Sequence, residues 1–479
     1  MDQWLDRHMG RLFLTPAVVL ILIFSVFPLV ASLILAFSRL RLSGGGFKMR
    51  FAGWRNFEKQ LFGSEQFHLL GTFGPLSGLG WIVGFAATAA LLYWMYRYCR
   101  SHFTVIGFVG RLITFAMALG LAWLFSATLL SGRPFGTVGT TLFYVIVGCG
   151  LQFLIGTALA FACSQHIAGS RTFRVIFFVP MMITPIGVGY IFRMLFDTTK
   201  GPFAEVWQWV GLGNWSWATD PWAARMFIMI ADSWQWIPFV FIMMLAAFES
   251  VPRDLNEAAE IDGAGKWMTF REIIWPQVLP IAATVMLIRV IEAFKIVDLP
   301  NIMTSGGPGI ATESVSLQSY YAWRSLDLGD CLYPVVHHGG HLRVLLQSCR
   351  SCPREGQTMT PGLFEPRKIG QMAPASKIAL YTVLITWALF VIFPIYWLLI
   401  TSFKTPAGVN GGPFFIPWVD FQPSLHAWKD LFVEDFADTF RAYRNSIIIT
   451  LSSTVLSVLV GSMAAYSLSR IEFAPNLIT

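Results

Sequence analysis

The chain has 479 residues, of which 55% are hydrophobic, 15% aromatic and only 13% charged, with a formal net charge of +7 and a mean hydropathy of +0.60. So few polar side chains cannot cover a water-soluble fold of this size, which excludes a soluble globular protein and marks a polytopic membrane protein. The positive charge collects in loops, so it carries no inference of nucleic-acid binding.

A transmembrane helix takes about 20 mostly apolar residues, because every backbone N–H and C=O has to be satisfied within the segment. Roughly nine stretches meet that length rule: 12–37, 79–96, 106–130, 139–163, 172–195, 227–248, 279–299, 378–403 and 447–468. The first is too long for a signal-peptide core and lies far from any small-residue cleavage site, so it reads as a retained helix. With Arg7 and Arg11 on the cytoplasmic side, the basic positions Arg97 and Arg100, Arg171, and the loop 253–271 all face the cytoplasm too, as the positive-inside rule requires. The outer segment 200–224 carries Trp207, Trp209, Trp215, Trp217 and Trp222. Such rings anchor at a membrane surface, with solute stacking or partner docking as the other reading. Cys99, Cys149 and Cys163 lie in or beside spans and read as reduced structural thiols.

The loop after stretch 227–248 has a pattern of its own. Asp254 followed three residues later by Glu257 predicts a capping box opening a helix. Gly263 supplies the left-handed geometry that ends it, and Pro276 stops a second short helix. Ala258 and Ala259 give the first helix a small, smooth face, suited to insertion in a groove of a partner that then moves it as a rigid body. The alternative is an ordinary amphipathic connector. Against that stands the spacing, Glu257-Ala258-Ala259, three residues, Gly263, nine residues, Ile273, one residue, a hydrophobic residue and Pro276. It resembles the EAA loop of ABC importer permeases, with Trp275 standing where that pattern usually has Leu.

The resemblance implies an all-α polytopic membrane protein with the type I ABC importer transmembrane fold. It implies that Glu257, Ala258, Ala259, Asp262, Gly263, Ala264 and Pro276 couple the chain to a cytoplasmic ATPase dimer. A second permease subunit and an extracytoplasmic solute-binding protein complete the expected partners, in a bacterial cytoplasmic membrane, with no catalytic residue, metal or cofactor of its own. No GxxxxGK[ST] phosphate loop occurs in the chain, in keeping with ATP hydrolysis elsewhere.

Further stretches resemble the carbohydrate-uptake branch, of maltose and glycerol-phosphate type: 51–57 (FAGWRNF), 293–298 (AFKIVD), 304–308 (TSGGP), 311–314 (ATES) and 323–325 (WRS). They imply a sugar or sugar-like solute, a polyamine or phosphorylated polyol being the alternative. This permease-like part covers 1–329, with its coupling loop at 250–278 and two extra spans inserted at about 71–133. An even number of added spans preserves the orientation of everything after it. Ionisable groups within the membrane are functional candidates by default. Glu292, Lys295 and Asp298 recur every third residue, which predicts one shared helix face. That face lines the solute path or forms a self-neutralising structural cluster near the outer interface.

After Gly329 the expected final span is missing, and 330–358 is polar, with Cys331, His337, His338, His341, Cys349 and Cys352. A zinc site in a membrane metal-binding protein is one reading of that set. The genetic code gives a better one. Met359-Thr360 has to be written ATG-AC, so the frame one nucleotide later reads TGA, a stop. In that frame Glu355-Gly356 and Gln357-Thr358 each force Lys or Arg, while Tyr333, His337, His338 and His341 become Ile, Thr or Met. An apolar span, a basic tail and a stop overlapping an ATG describe one permease gene abutting the next. From Met359 or Met372 a second protein begins: 402–405 (SFKT), 445–446 (NS) and 461–470 (GSMAAYSLSR) resemble the partner permease, so 359–479 reads as its N-terminal fragment. With the final span lost, Arg343, Arg350, Arg354, Arg367, Lys368 and Lys377 are expected outside, and the next span enters the membrane in reverse.

Overall fold

The computed structural model describes residues 13–43, 46–101, 105–128, 134–165, 168–211, 215–325 and 374–470. Among them seven helices are long and apolar enough to cross a membrane, and a bent pair makes an eighth span. Among the described residues the fold is all-α apart from one two-stranded hairpin. α1 (Phe13–Ala36) turns its side chains outward, with Phe24 72% exposed, as befits a helix whose surroundings are lipid. The strands β1 (Ser38–Ser43) and β2 (Gly46–Phe51) follow as an antiparallel pair. The FAGWRNF stretch closes this turn. Buried Asn56 donates to Ala36 O at 2.8 Å and Ser38 O at 3.0 Å, satisfying carbonyls at the end of α1, and Phe37, Trp54 and Phe57 pack ring on ring.

Within segment 71–133 α2 (Gly78–Ser101) packs against α3 (Val105–Ala127) as a helical hairpin. With the N-terminus taken as cytoplasmic, the cytoplasmic end of this hairpin is held by Arg111, whose guanidinium lies 3.5 Å from the Tyr98 ring centre. At the outer side its two ends meet. Gly71 and Phe135 form an antiparallel bridge, and Thr72 N donates to Pro134 O at 3.0 Å. Gly71 (φ 91°) and Gly136 face each other so closely that a Cβ on either would sit 2.5–2.7 Å from the other strand's backbone.

The core consists of α4 (Thr137–Ser164), α5 (Ser170–Phe178), α6 (Pro185–Leu195), α7 (Pro221–Glu249) and α9 (Trp267–Phe294), with the short α8 (Arg253–Ile261) between the last two. α7 is the most enclosed, burying Ile228, Trp234, Ile237, Phe241 and Met244. Toward the outer side Phe192, Leu195, Phe196, Trp217 and Ile228 pack together, and toward the cytoplasm Leu159, Phe177, Phe241, Met244 and Val278 do so. Van der Waals fit of this kind is the main force holding helices together where lipid is as apolar as the side chains. The tryptophans of 200–224 divide: Trp217 is buried in the core, whereas Trp209 is 88% exposed.

Three sequence expectations need correction. The stretch 172–195 is not one span but two segments bent by 99°. A 3-10 turn carries Pro180, and a new helix starts at Pro185 with the Thr184 hydroxyl accepting from Gly187 N, because each proline lacks the N–H that would continue the ladder. Pro276 does not stop a helix. A π turn at Phe270–Ile274 precedes it inside the continuous α9, and such a bulge absorbs the missing hydrogen bond. Stretch 279–299 ends early, at Phe294, and Asp298 opens a separate short helix, α10 (Asp298–Thr304).

α11 (Val315–Arg324), α12 (Pro374–Ser402) and α13 (Phe436–Arg470) follow. α12 lies on the core, its Leu384 and Ala388 among the cytoplasmic-side residues and Trp397 and Ile400 among the outer ones. α13 is exposed along nearly its whole length. The junction 330–358, with Cys331, Cys349, Cys352 and its histidines, lies outside the described residues.

Candidate coupling loop and intramembrane charge cluster

α8 opens at Arg253, one residue before the expected cap, so Asp254 sits in its first turn, where a carboxylate favours the helix dipole. Its end follows the sequence reading. Asp262 N donates to Ala258 O and Ala264 N to Ala259 O, both at 2.9 Å, and Gly263 takes φ 75°, the Schellman geometry in which a left-handed residue turns the chain out of the helix. Ala259 is buried, whereas Glu257, Ala258, Asp262 and Gly263 are exposed and Ala264 is half-buried. Phe270 seats the loop against the bundle, 5.0 Å from the Phe161 ring and 6.4 Å from Phe248. Around it Ile261 (86% exposed), Trp267 (72%), stacked on the Phe270 ring, and Met268 (60%) face outward. Exposed apolar patches of this kind mark protein–protein or membrane contacts.

Glu292, Lys295 and Asp298 do not share a helix face. Glu292 is in the last turn of α9, Lys295 is the residue that leaves the helix, and Asp298 begins α10. Lys295 Nζ pairs with Glu292 at 2.6 Å on an exposed rim.

The membrane interior holds a different charge cluster. Arg289 of α9 is 1% exposed. Its Nε donates to Gln152 Oε1 of α4 at 2.5 Å and its Nη2 to the Asp232 carboxylate of α7. Gln152 Nε2 also donates to Asp232 Oδ2 at 2.7 Å, and the guanidinium lies 4.8 Å from the half-buried Trp236 ring. Three helices thus meet at one neutral ion pair with a bridging amide. The signal was in the sequence. Asp232 is the lone charge of stretch 227–248 and Arg289 the deepest in 279–299, and charges within a bilayer are expected to find each other.

On the outer side His68 Nε2 pairs with Glu313 Oε2 at 3.0 Å, linking the first outer loop to the TSGGP turn. That turn is closed by Thr312, which bonds Thr304 at 2.6 Å and Gly307 O at 2.9 Å. The hydrogen bond to the largely buried Glu313, reinforced by its charge and that of Glu65 against partial burial, raises the His68 pKa above 6.5. Cys149 and Cys163 are buried free thiols and Cys99 is an exposed one. Among the described residues no group of three or more His, Cys, Asp or Glu is arranged to hold a metal ion.

Residues 152–336 match the family model of the binding-protein-dependent transport system inner membrane component. The trehalose/maltose transport system permease protein MalF of Thermococcus litoralis is 30% identical over 202 residues, 42% of this chain and 68% of its own length. The sulfoquinovosyl glycerol transport system permease protein SmoG of Agrobacterium fabrum is 30% identical over 203 residues, 42% of this chain and 66% of its own. A crystal structure of a bacterial alginate ABC transporter, in complex with an alginate pentasaccharide-bound periplasmic protein, covers 73% of this chain and 93% of its own at 16% identity, with a TM-score of 0.46.

Proposed function

The chain belongs to the inner-membrane components of binding-protein-dependent transport systems, and on that premise we propose that it lines the path of a sugar importer and is driven through α8 by a cytoplasmic ATPase. It is a transport subunit of the carbohydrate type rather than an enzyme. The observation that carries the coupling role is the exposed apolar surface of Ile261, Trp267 and Met268 around a rigidly capped helix. α9 continues from that loop through the membrane without interruption, so a displacement of the loop is passed along one rod to Arg289 and the rim residues Glu292 and Lys295. Asp298, at the head of α10, lies beside that rim. These three are candidate solute contacts, and Glu292→Gln or Asp298→Asn alters uptake at unchanged complex yield if they are. Relatives named for trehalose, maltose, starch products and sulfoquinovosyl glycerol support a sugar or sugar-like solute. The partners that follow are a second permease, an ATPase dimer and an extracytoplasmic binding protein, in a bacterial inner membrane.

Glu257→Lys tests the reading. It reverses a charge on the exposed face of α8, so the ATPase is expected to be lost on co-purification and uptake abolished while membrane insertion is unchanged. A mutant complex that still hydrolyses ATP in response to loaded binding protein would show that coupling runs elsewhere.

A further inference from the structure

The tip of the α2–α3 hairpin gathers positive charge that the chain itself does not answer. Arg97 and Arg100 stand near the end of α2, where a cation suits the helix dipole and the positive-inside rule is met without further help. Arg111 serves neither purpose. It lies six residues beyond Val105, the first residue of α3, which places it about 9 Å along the helix from the tip. Its guanidinium is 3.5 Å from the Tyr98 ring centre and 5.4 Å from that of Trp94, and the Arg100 guanidinium is 4.9 Å from Tyr96. Arg97 follows Trp94 by three residues and precedes Arg100 by three, so helix spacing sets it between the two stacked guanidiniums.

A ring satisfies only the flat face of a guanidinium, and the N–H donors around its edge still need acceptors. Among the described residues no carboxylate or carbonyl is bonded to Arg97, Arg100 or Arg111, and the sequence has no Asp or Glu from Gln66 to Phe196. Tyr93, Trp94 and Tyr96 are exposed along the same stretch, as rings are that sit at headgroup depth. The acceptors at that depth are the phosphate oxygens of the lipid, whose paired geometry fits the edge of a guanidinium.

We propose that the hairpin tip binds an anionic phospholipid of the cytoplasmic leaflet, its phosphate held by Arg97, Arg100 and Arg111 and its acyl chains lying against the outward apolar surface of α2 and α3. Basic side chains between membrane helices on the cytoplasmic side are suited to such headgroups. A lipid fits better than an acidic protein segment because Arg111 lies below the tip, among interfacial rings. The site goes beyond the transport reading and stands whether or not α8 couples to an ATPase.

The test is native mass spectrometry of the full chain released from a mild detergent, with phosphatidylglycerol and phosphatidylcholine of the same acyl chains offered together. The wild type is expected to retain phosphatidylglycerol several-fold over phosphatidylcholine. Retention should fall several-fold in Arg97→Gln and in Arg111→Gln, and stay unchanged in Arg50→Gln, on the outer strand β2. Arg97 is exposed, so its variant separates lost binding from a loosened hairpin. Equal retention of the two lipids, or an Arg97→Gln protein that holds phosphatidylglycerol as the wild type does, would overturn the site. Displacement of the lipid by millimolar inorganic phosphate would overturn it in favour of a free-anion site, and displacement by an equimolar polyglutamate peptide in favour of a protein contact.

Discussion

At the scale of single residues, the intramembrane ion pair decides more than the exposed charges. Breaking a buried pair by removing one partner costs about 3–5 kcal/mol, whereas replacing both with apolar groups is often neutral or better. Arg289→Met is thus expected to lower the thermal midpoint of the solubilised protein and its yield, leaving Asp232 buried and unpaired. Adding Asp232→Leu should recover most of the midpoint, and a double variant no more stable than the single would refute the pairing. His68 provides a second check. Its raised pKa means that the bond to Glu313 contributes fully below the unfolded value of 6.5 and is lost as pH rises through the folded value. The midpoint of the wild type should therefore fall over that window relative to His68→Gln, whose profile should be flatter. Glu292, Lys295 and Asp298 were legible as charges in a span. Their spacing misled because one helix ends between them, and helix ends near a membrane rim depend on outer loops such as 304–314 that periodicity does not see.

For the elements, hydropathy placed nearly every span, since length and apolarity are what a bilayer demands. It missed the 99° break in 172–195 and the π turn before Pro276. A proline in an apolar run allows a kink, a stop or an absorbed bulge, and the neighbouring helices choose among them. The end of α8 was legible because a left-handed residue there is a local requirement. A non-glycine residue at φ 75° costs roughly 1 kcal/mol, less for Asn, whose side chain tolerates that region. Uptake is expected to decline in the order Gly263, Gly263→Asn, Gly263→Ala at equal expression. The same order should appear in ATPase co-purification, and an Ala variant equal to wild type in both would mean that the loop's exit does not need this geometry.

For the whole molecule, the junction joins codon and membrane arguments that are independent of each other. Resequencing around Gly329 is expected to show a one-nucleotide difference from intact relatives or an error in the record, and restoring the other frame should yield two products, the first ending just before Met359. A single chain of this length that supports uptake in cells without intact copies would overturn that reading. The hairpin α2–α3 has the opposite character, since the chain on either side of it is bonded together at Gly71 and Phe135. A segment that departs and returns at one backbone bridge imposes almost no closure requirement on what lies between. Such a bridge is a socket. An engineer can exchange the hairpin there for a different one with the rest of the bundle left as it is.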